Sequence, residues 1–158
     1  MCTWRGGSRQ IIWSSDLAVI ASGPERPGKQ LVRIIPDASR SFEPAGHENP
    51  LSPGVVKKVL IEKNDLQPGR VQMVNWASLG VGKSFARHYH EDMQEIFILV
   101  QGEATINVDH ETVTLRRGDT VVIDPGEIHQ MQNVGSETVE YLAIGVSREA
   151  GGKTVVME

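Results

Sequence analysis

The sequence predicts an all-β protein, a sandwich or barrel of short strands, and three observations carry that prediction. Apolar residues recur with the two-residue period of a half-buried strand, as in Ala104, Ile106 and Val108 against Thr105 and Asn107. Short apolar runs return at regular spacing between turn signals rich in Gly, Pro, Asp and Asn. No stretch of the 158 residues shows the 3.6-residue recurrence of an amphipathic helix.

Residues 1–54 read as an N-terminal arm. Arg5 and Arg9 precede Ile11, Ile12 and Trp13 and then residues 17–20 (LAVI), but Ser14, Ser15 and Asp16 interrupt the apolar core that a signal peptide needs. Short strands are expected there instead. Residues 23–28 (GPERPG) read as a turn and residues 31–35 as a strand stopped by Pro36. Pro36, Pro44, Pro50 and Pro53 keep the stretch up to Gly54 in loop, which either wraps the barrel or reaches across to a partner subunit.

The barrel itself is expected over residues 55–148. Residues 55–61 (VVKKVLI) form a strand, residues 64–69 a turn, and residues 71–79 a second strand. The pattern leaves open which of Gln72, Asn75 and Trp76 points inward. Residues 96–100 (IFILV) are an unbroken apolar run, which reads as a strand buried on both faces. Its outer face then needs cover from the N-terminal strands or a second subunit, so a homodimer is expected. Residues 104–108 and 113–115 alternate around a turn at 109–111, and residues 116–119 turn again. Strands follow at 120–123 and 128–132, then a turn at 133–137 and a last strong strand at 138–146. Residues 149–158 are a polar, glycine-bearing tail.

Composition excludes several classes. With 39% hydrophobic and 23% charged residues the chain is an ordinary globular one, of a length for one domain. A net charge of −4, with no run of Lys or Arg, gives no electrostatic footprint for nucleic acid or an acidic membrane. No helix-turn-helix pattern precedes the barrel, and no stretch is long enough to span a bilayer. Cys2 is the single cysteine, which rules out a disulfide within the chain and fits a reducing compartment. A cytoplasmic location is expected.

The chemistry is concentrated in residues 82–102, GKSFARHYHEDMQEIFILVQG. His88 and His90 are two apart, so on a strand both imidazoles project to one side and offer two nitrogens to one ion. Glu95 has the wrong parity for a straight strand, but a hairpin through Glu91, Asp92, Met93 and Gln94 brings it back beside them. Residues 118–133 (GDTVVIDPGEIHQMQN) supply a further imidazole, His129, after a turn at Asp124, Pro125 and Gly126. Met131 shares parity with His129, and Phe97 and Leu99 share it with Glu95, so these three are candidate cavity-lining residues. His47 is a candidate cap for a pocket. His110 falls in a turn and is expected to be solvated, while Lys83 and Arg87 lie near the motif without a placed role.

These two segments resemble the two motifs of the cupin superfamily. Gly82, His88, His90, Glu95 and Gly102 match every fixed position of the first motif, and Gly118, Gly126, His129 and Asn133 match the second. One position departs: Asp124 stands where the family pattern has proline, and Pro125 follows it, which implies a slightly different turn rather than a lost ligand. The resemblance implies a single-domain double-stranded β-helix, or jelly-roll, barrel with His88, His90, Glu95 and His129 as metal ligands. Three imidazoles and one carboxylate suit Mn, Fe, Co, Ni, Cu or Zn. In octahedral geometry two positions stay open for a small-molecule ligand. The expected function is Lewis-acid isomerase or lyase chemistry, or oxygen-dependent dioxygenase chemistry, on a small oxo acid, diol or sugar phosphate. The alternative is a barrel that binds or senses a metal or small ligand without turnover. No catalytic side chain is assigned.

Overall fold

The computed structural model describes residues 34–66, 69–148 and 152–157. The strands and turn expected before residue 34 lie outside the described residues, and Ile34 and Ile35, the end of the strand expected at 31–35, are irregular. Among the described residues the strands are β1 (Glu43–Pro44), β2 (Val55–Glu62), β3 (Val71–Leu79), β4 (His88–His90), β5 (Met93–Gln101), β6 (Glu103–Val108), β7 (Glu111–Arg116), β8 (Thr120–Ile123), β9 (His129–Gln132), β10 (Val139–Ser147) and β11 (Thr154–Val156). They form two antiparallel sheets, ordered β1-β2-β3-β10-β5-β8 and β11-β4-β9-β6-β7. This is the double-stranded β-helix.

The core sits between the sheets. Register places Asn75 opposite Ala143 and Ala143 opposite Phe97, and the next inward row runs Lys57, Ala77, Tyr141, Leu99. Leu79, Leu99, Ala104, Ile106, Met131 and Val139 are buried to 1% exposure or less. Each of these side chains larger than alanine stabilises the fold by about 1.5–3 kcal/mol when removed from water. The inward residue of β3 that the pattern leaves open is Asn75, 3% exposed.

Three expectations are corrected. Only one face of β5 is fully buried, because Ile96, Ile98 and Val100 on its outer face stay partly exposed while Phe97 and Leu99 are sealed. Isoleucine and valine fill the outer face and phenylalanine and leucine the inner one, and with both faces apolar the sequence does not show which of them faces outward. Second, β4 and β5 do not pair as a hairpin: β4 lies between β11 and β9, and β5 between β10 and β8. The short link at Glu91 and Asp92 carries the chain from one sheet to the other. Third, the polar tail contributes β11, which pairs with β4 through Thr154 to His90 and Val156 to His88.

The proline-rich stretch wraps the barrel. Pro44 sits in β1 at the sheet edge, opposite Val56, where its missing N–H breaks no ladder. Ala45 is buried, and Glu48 Oε2 accepts from Gly54 N while Glu48 Oε1 accepts from Ala86 N at 2.7 Å. One carboxylate thus fastens the strap to itself and to the chain leading into β4.

Two motif residues have specific structural reasons. Gly126 has φ 88°, and its N–H donates to His90 O at 2.8 Å, tying the second motif's turn to the first motif's strand. Asn133, fully buried, donates to Leu79 O and Glu137 O and accepts from Gly135 N, closing the end of β9 against β3. Asp124 changes the turn chemistry: its N–H donates to Glu127 Oε2 at 2.7 Å, and its Oδ1 accepts from Gln94 at 2.6 Å. A proline at that position has neither group to give.

Candidate metal centre

His88 and His90 occupy alternate positions of β4, and His129 opens β9 directly opposite His88. The three imidazoles therefore project from one sheet. Glu95 projects from β5 in the other sheet, so the cluster spans the interior between them. The four offer one donor atom each within 4.8 Å of one another, and all four are buried, at 1%, 5%, 5% and 1% exposure for His88, His90, Glu95 and His129.

Local bonds decide which nitrogen each ring presents. His88 Nδ1 lies 2.7 Å from Ala86 O and His129 Nδ1 lies 3.0 Å from Glu127 O. A carbonyl only accepts, so both Nδ1 atoms carry hydrogen, which in the neutral His88 ring leaves Nε2 with a lone pair. Neither Nε2 makes a hydrogen bond, although each is buried. Glu95 Oε2 lies 3.1 Å from His90 Nε2 and 3.2 Å from His129 Nε2. Two buried, orphaned imidazole nitrogens beside a buried carboxylate match the donor set of a borderline transition-metal site.

Burial works against charge on the rings and on the acid in opposite ways. Desolvation, helped by the neighbouring His47 and His129 rings, lowers the His88 pKa to about 3, so the ring is a neutral donor. Burial also pushes Glu95 upward, but contact with His129 and His90 overrides it and holds the carboxyl well below the usual carboxylate range. The carboxylate stays ionised, as a ligand must be.

Part of the supporting shell comes from segments outside the two motifs. Thr154 Oγ1 in β11 lies 3.1 Å from His90 Nδ1 and fixes the far side of that ring. Ala86, whose carbonyl orients His88, is itself held by Glu48 through its N–H. His47 stacks on His88 with centroids 3.9 Å apart and planes 23° apart. Thr154→Val keeps shape and removes the hydroxyl; we expect metal affinity to fall about tenfold, in line with other outer-shell losses, with the unfolding midpoint of the metal-free protein nearly unchanged. Competition titration with a chromophoric chelator reads the first, and a melt in chelator reads the second.

A cavity of about 300 Å³ opens from the cluster. His47 and Phe97 line it, whereas Leu99 and Met131, expected to share it, are packed into the closed core beyond. Parity set their face correctly but not their depth along the barrel. Lys83, Arg87 and His110 are exposed and lie outside the cavity wall. Lys57, Asn75, Tyr141 and Thr154 line it and have no role in the motif reading. Lys57 had a signal: it shares parity with Val55 in a strand with one inward face. Burial pushes the Tyr141 phenol well above its usual range, so it stays protonated.

Residues 75–145 match the family model described as Cupin domain. The chain is 26% identical over 91 residues to a protein of Thermotoga maritima named oxalate-binding protein, covering 58% of this chain and 75% of that protein. Among solved structures, it resembles a predicted oxalate decarboxylase of Thermotoga maritima with a TM-score of 0.64 at 23% identity, over 73% of this chain and 99% of that one. It also resembles a cupin-superfamily sugar phosphate isomerase of Silicibacter pomeroyi, with a TM-score of 0.63 at 19% identity, over 80% and 82% of the two chains. At such identities the structural likenesses speak for the fold.

Proposed function

Because this chain belongs to the cupin superfamily, through a domain at residues 75–145, we propose that it holds one divalent transition metal and acts on a small oxygen-rich acid. The single observation that carries this is the set of two orphaned Nε2 atoms and one ionised carboxylate converging with His90 in a buried cluster. His88, His90, Glu95 and His129 would hold the ion. It would supply Lewis acidity and open positions for ligand oxygens, the common requirement of isomerase, lyase and dioxygenase chemistry.

The chain's own groups define the rest. Glu95 offsets one unit of the ion's charge, and an imidazole that donates a lone pair offsets none, so a net positive centre favours an anionic oxygen ligand. Phe85, Phe97 and Met93 keep the surroundings apolar and limit water. Tyr141 presents a protonated phenol to the same space. The name of the Thermotoga relative, oxalate-binding, supports a small carboxylic acid.

A binding barrel without turnover is the second reading, and that same relative's name favours it. Homodimerisation through the half-exposed outer face of β5, and a cytoplasmic location, complete the proposal. The test is elemental analysis of untagged protein purified without added metal. We expect about one transition-metal ion per chain, and a melting midpoint that climbs with free metal. Protein that carries almost none, and whose midpoint ignores added metal, sinks the proposal.

A further inference from the structure

The cavity continues past the four metal-ligating side chains, and its far wall is not uniformly apolar. Lys57 follows Val55 by two residues in β2 and stands opposite Ala77 in β3, so the pleat directs it to the inner face, where it lines the cavity. Its ammonium lies 3.8 Å from Glu43 Oε1, a long contact to a carboxylate that is 57% exposed. So wet a pair is weak, and the ammonium stays available to an incoming anion.

Asn75 lies on the neighbouring strand, opposite Val59 and Ala143, and is 3% exposed. Its Nδ2 is 2.9 Å from Met73 Sδ, a weak acceptor, and its Oδ1 makes no hydrogen bond. Turning the amide over puts Oδ1 against Met73 Sδ, which has no hydrogen to donate, and leaves both ends unanswered. A buried amide in that condition is costly to the fold unless something in the cavity answers it. Strand order puts Asn75 two strands and Lys57 three strands from Glu95, and the cavity wall they share is mostly apolar, with Val55, Met73, Phe85, Phe97 and Ala143 beside the Tyr141 phenol.

The cavity thus joins a chelating centre to one cation and one unanswered amide, two to three strands away, across a mostly apolar wall. We infer that the ligand is a small hydroxy or oxo acid bearing a second anionic group, with a short apolar spine between the two. Its first carboxylate and adjacent oxygen meet the four-residue centre, as the proposed function holds, and the inference rests on that reading. The second anionic group pairs with Lys57, and Asn75 hydrogen-bonds beside it. Oxalate, whose carboxylates are joined directly, has no spine to lie along that wall.

Calorimetric titration of the metal-loaded protein decides it, with three acids that share an α-hydroxy carboxylate head. α-Hydroxyglutarate ends in a carboxylate, phosphoglycerate in a phosphate, and α-hydroxypentanoate in a methyl group. We expect at least one doubly anionic acid to bind about tenfold or more tightly than α-hydroxypentanoate, and which one does so identifies the anion. Lys57→Met is expected to erase that preference and Lys57→Arg to keep it, with metal content unchanged in both. Equal binding of all three acids, a preference that survives Lys57→Met, or no binding by metal-replete protein overturns the inference and leaves the metal centre standing. The wild-type comparison decides alone should Lys57→Met fail to fold. Protein that takes up no metal overturns the metal reading and this inference with it.

Discussion

The double variant His88→Ala, Glu95→Ala is expected to drop from about one bound metal ion per chain to less than about a tenth, while its strands still form. The two substitutions remove one donor from each sheet, leaving His90 and His129 on a single sheet with nothing opposite them. Two imidazoles alone make a poor site in competition with water and chelators. The fold should survive because neither residue belongs to the apolar cluster formed by Leu79, Leu99, Ile106 and Met131. Removing Glu95 also abolishes a carboxylate that is ionised at 5% exposure, whose desolvation offsets part of the lost contact. Elemental analysis and circular dichroism on the same sample check both halves. Normal stoichiometry in the variant would show that the ion, if present, is held elsewhere.

Gly54→Ala is expected to destabilise the protein by about 3 kcal/mol and to weaken metal retention at a distance from every ligand. A Cβ at position 54 falls 1.7 Å from Ser84 O and 2.7 Å from Ser84 C, and both are backbone atoms. Ser84 has little freedom to yield: it bridges to Gln132, and the next residue, Phe85, donates from its N–H to Met131 O. The strap must therefore move, breaking the bonds from Gly54 and Ala86 to Glu48 and with them the support of the carbonyl that orients His88. Gly46→Ala is the control in the same strap, since a Cβ there meets nothing within 4 Å. Its cost should stay under about 0.5 kcal/mol. Urea midpoints separate the two, and equal midpoints would mean that the close approach to Ser84 is not a constraint in solution.

What could be read from the sequence followed what is local. Strand parity put His88 and His90 on one face, and the turn at Asp124, Pro125 and Gly126 marked the start of the strand that brings His129 to them. The failures were failures of pairing. The gap between His90 and Glu95 gave the length of a link but not which sheet the next strand joins, so a sheet crossing read as a hairpin. Thr154 was invisible for the same reason, because its place beside His90 comes from β11 pairing across more than sixty positions of chain. The proline-rich stretch was legible as irregular, yet nothing local says that Glu48 will reach Ala86 or that His47 will lie flat on His88. Depth, too, is a global property: Phe97 and Leu99 share a face, and only the closed barrel decides that one meets the cavity and the other the core.

The matched domain begins at residue 75, and His47, Lys57 and Met73 of the cavity wall all precede it. The groups that would hold an ion and Lys57, which would pair with the ligand's second anion, are thus written in different stretches of the chain. A substitution at Lys57 in β2 can retune which molecule is accepted while the histidines and Glu95 keep their geometry. Such a division makes the barrel evolvable: new preferences can be tried in one module without gambling the reactivity encoded in the other.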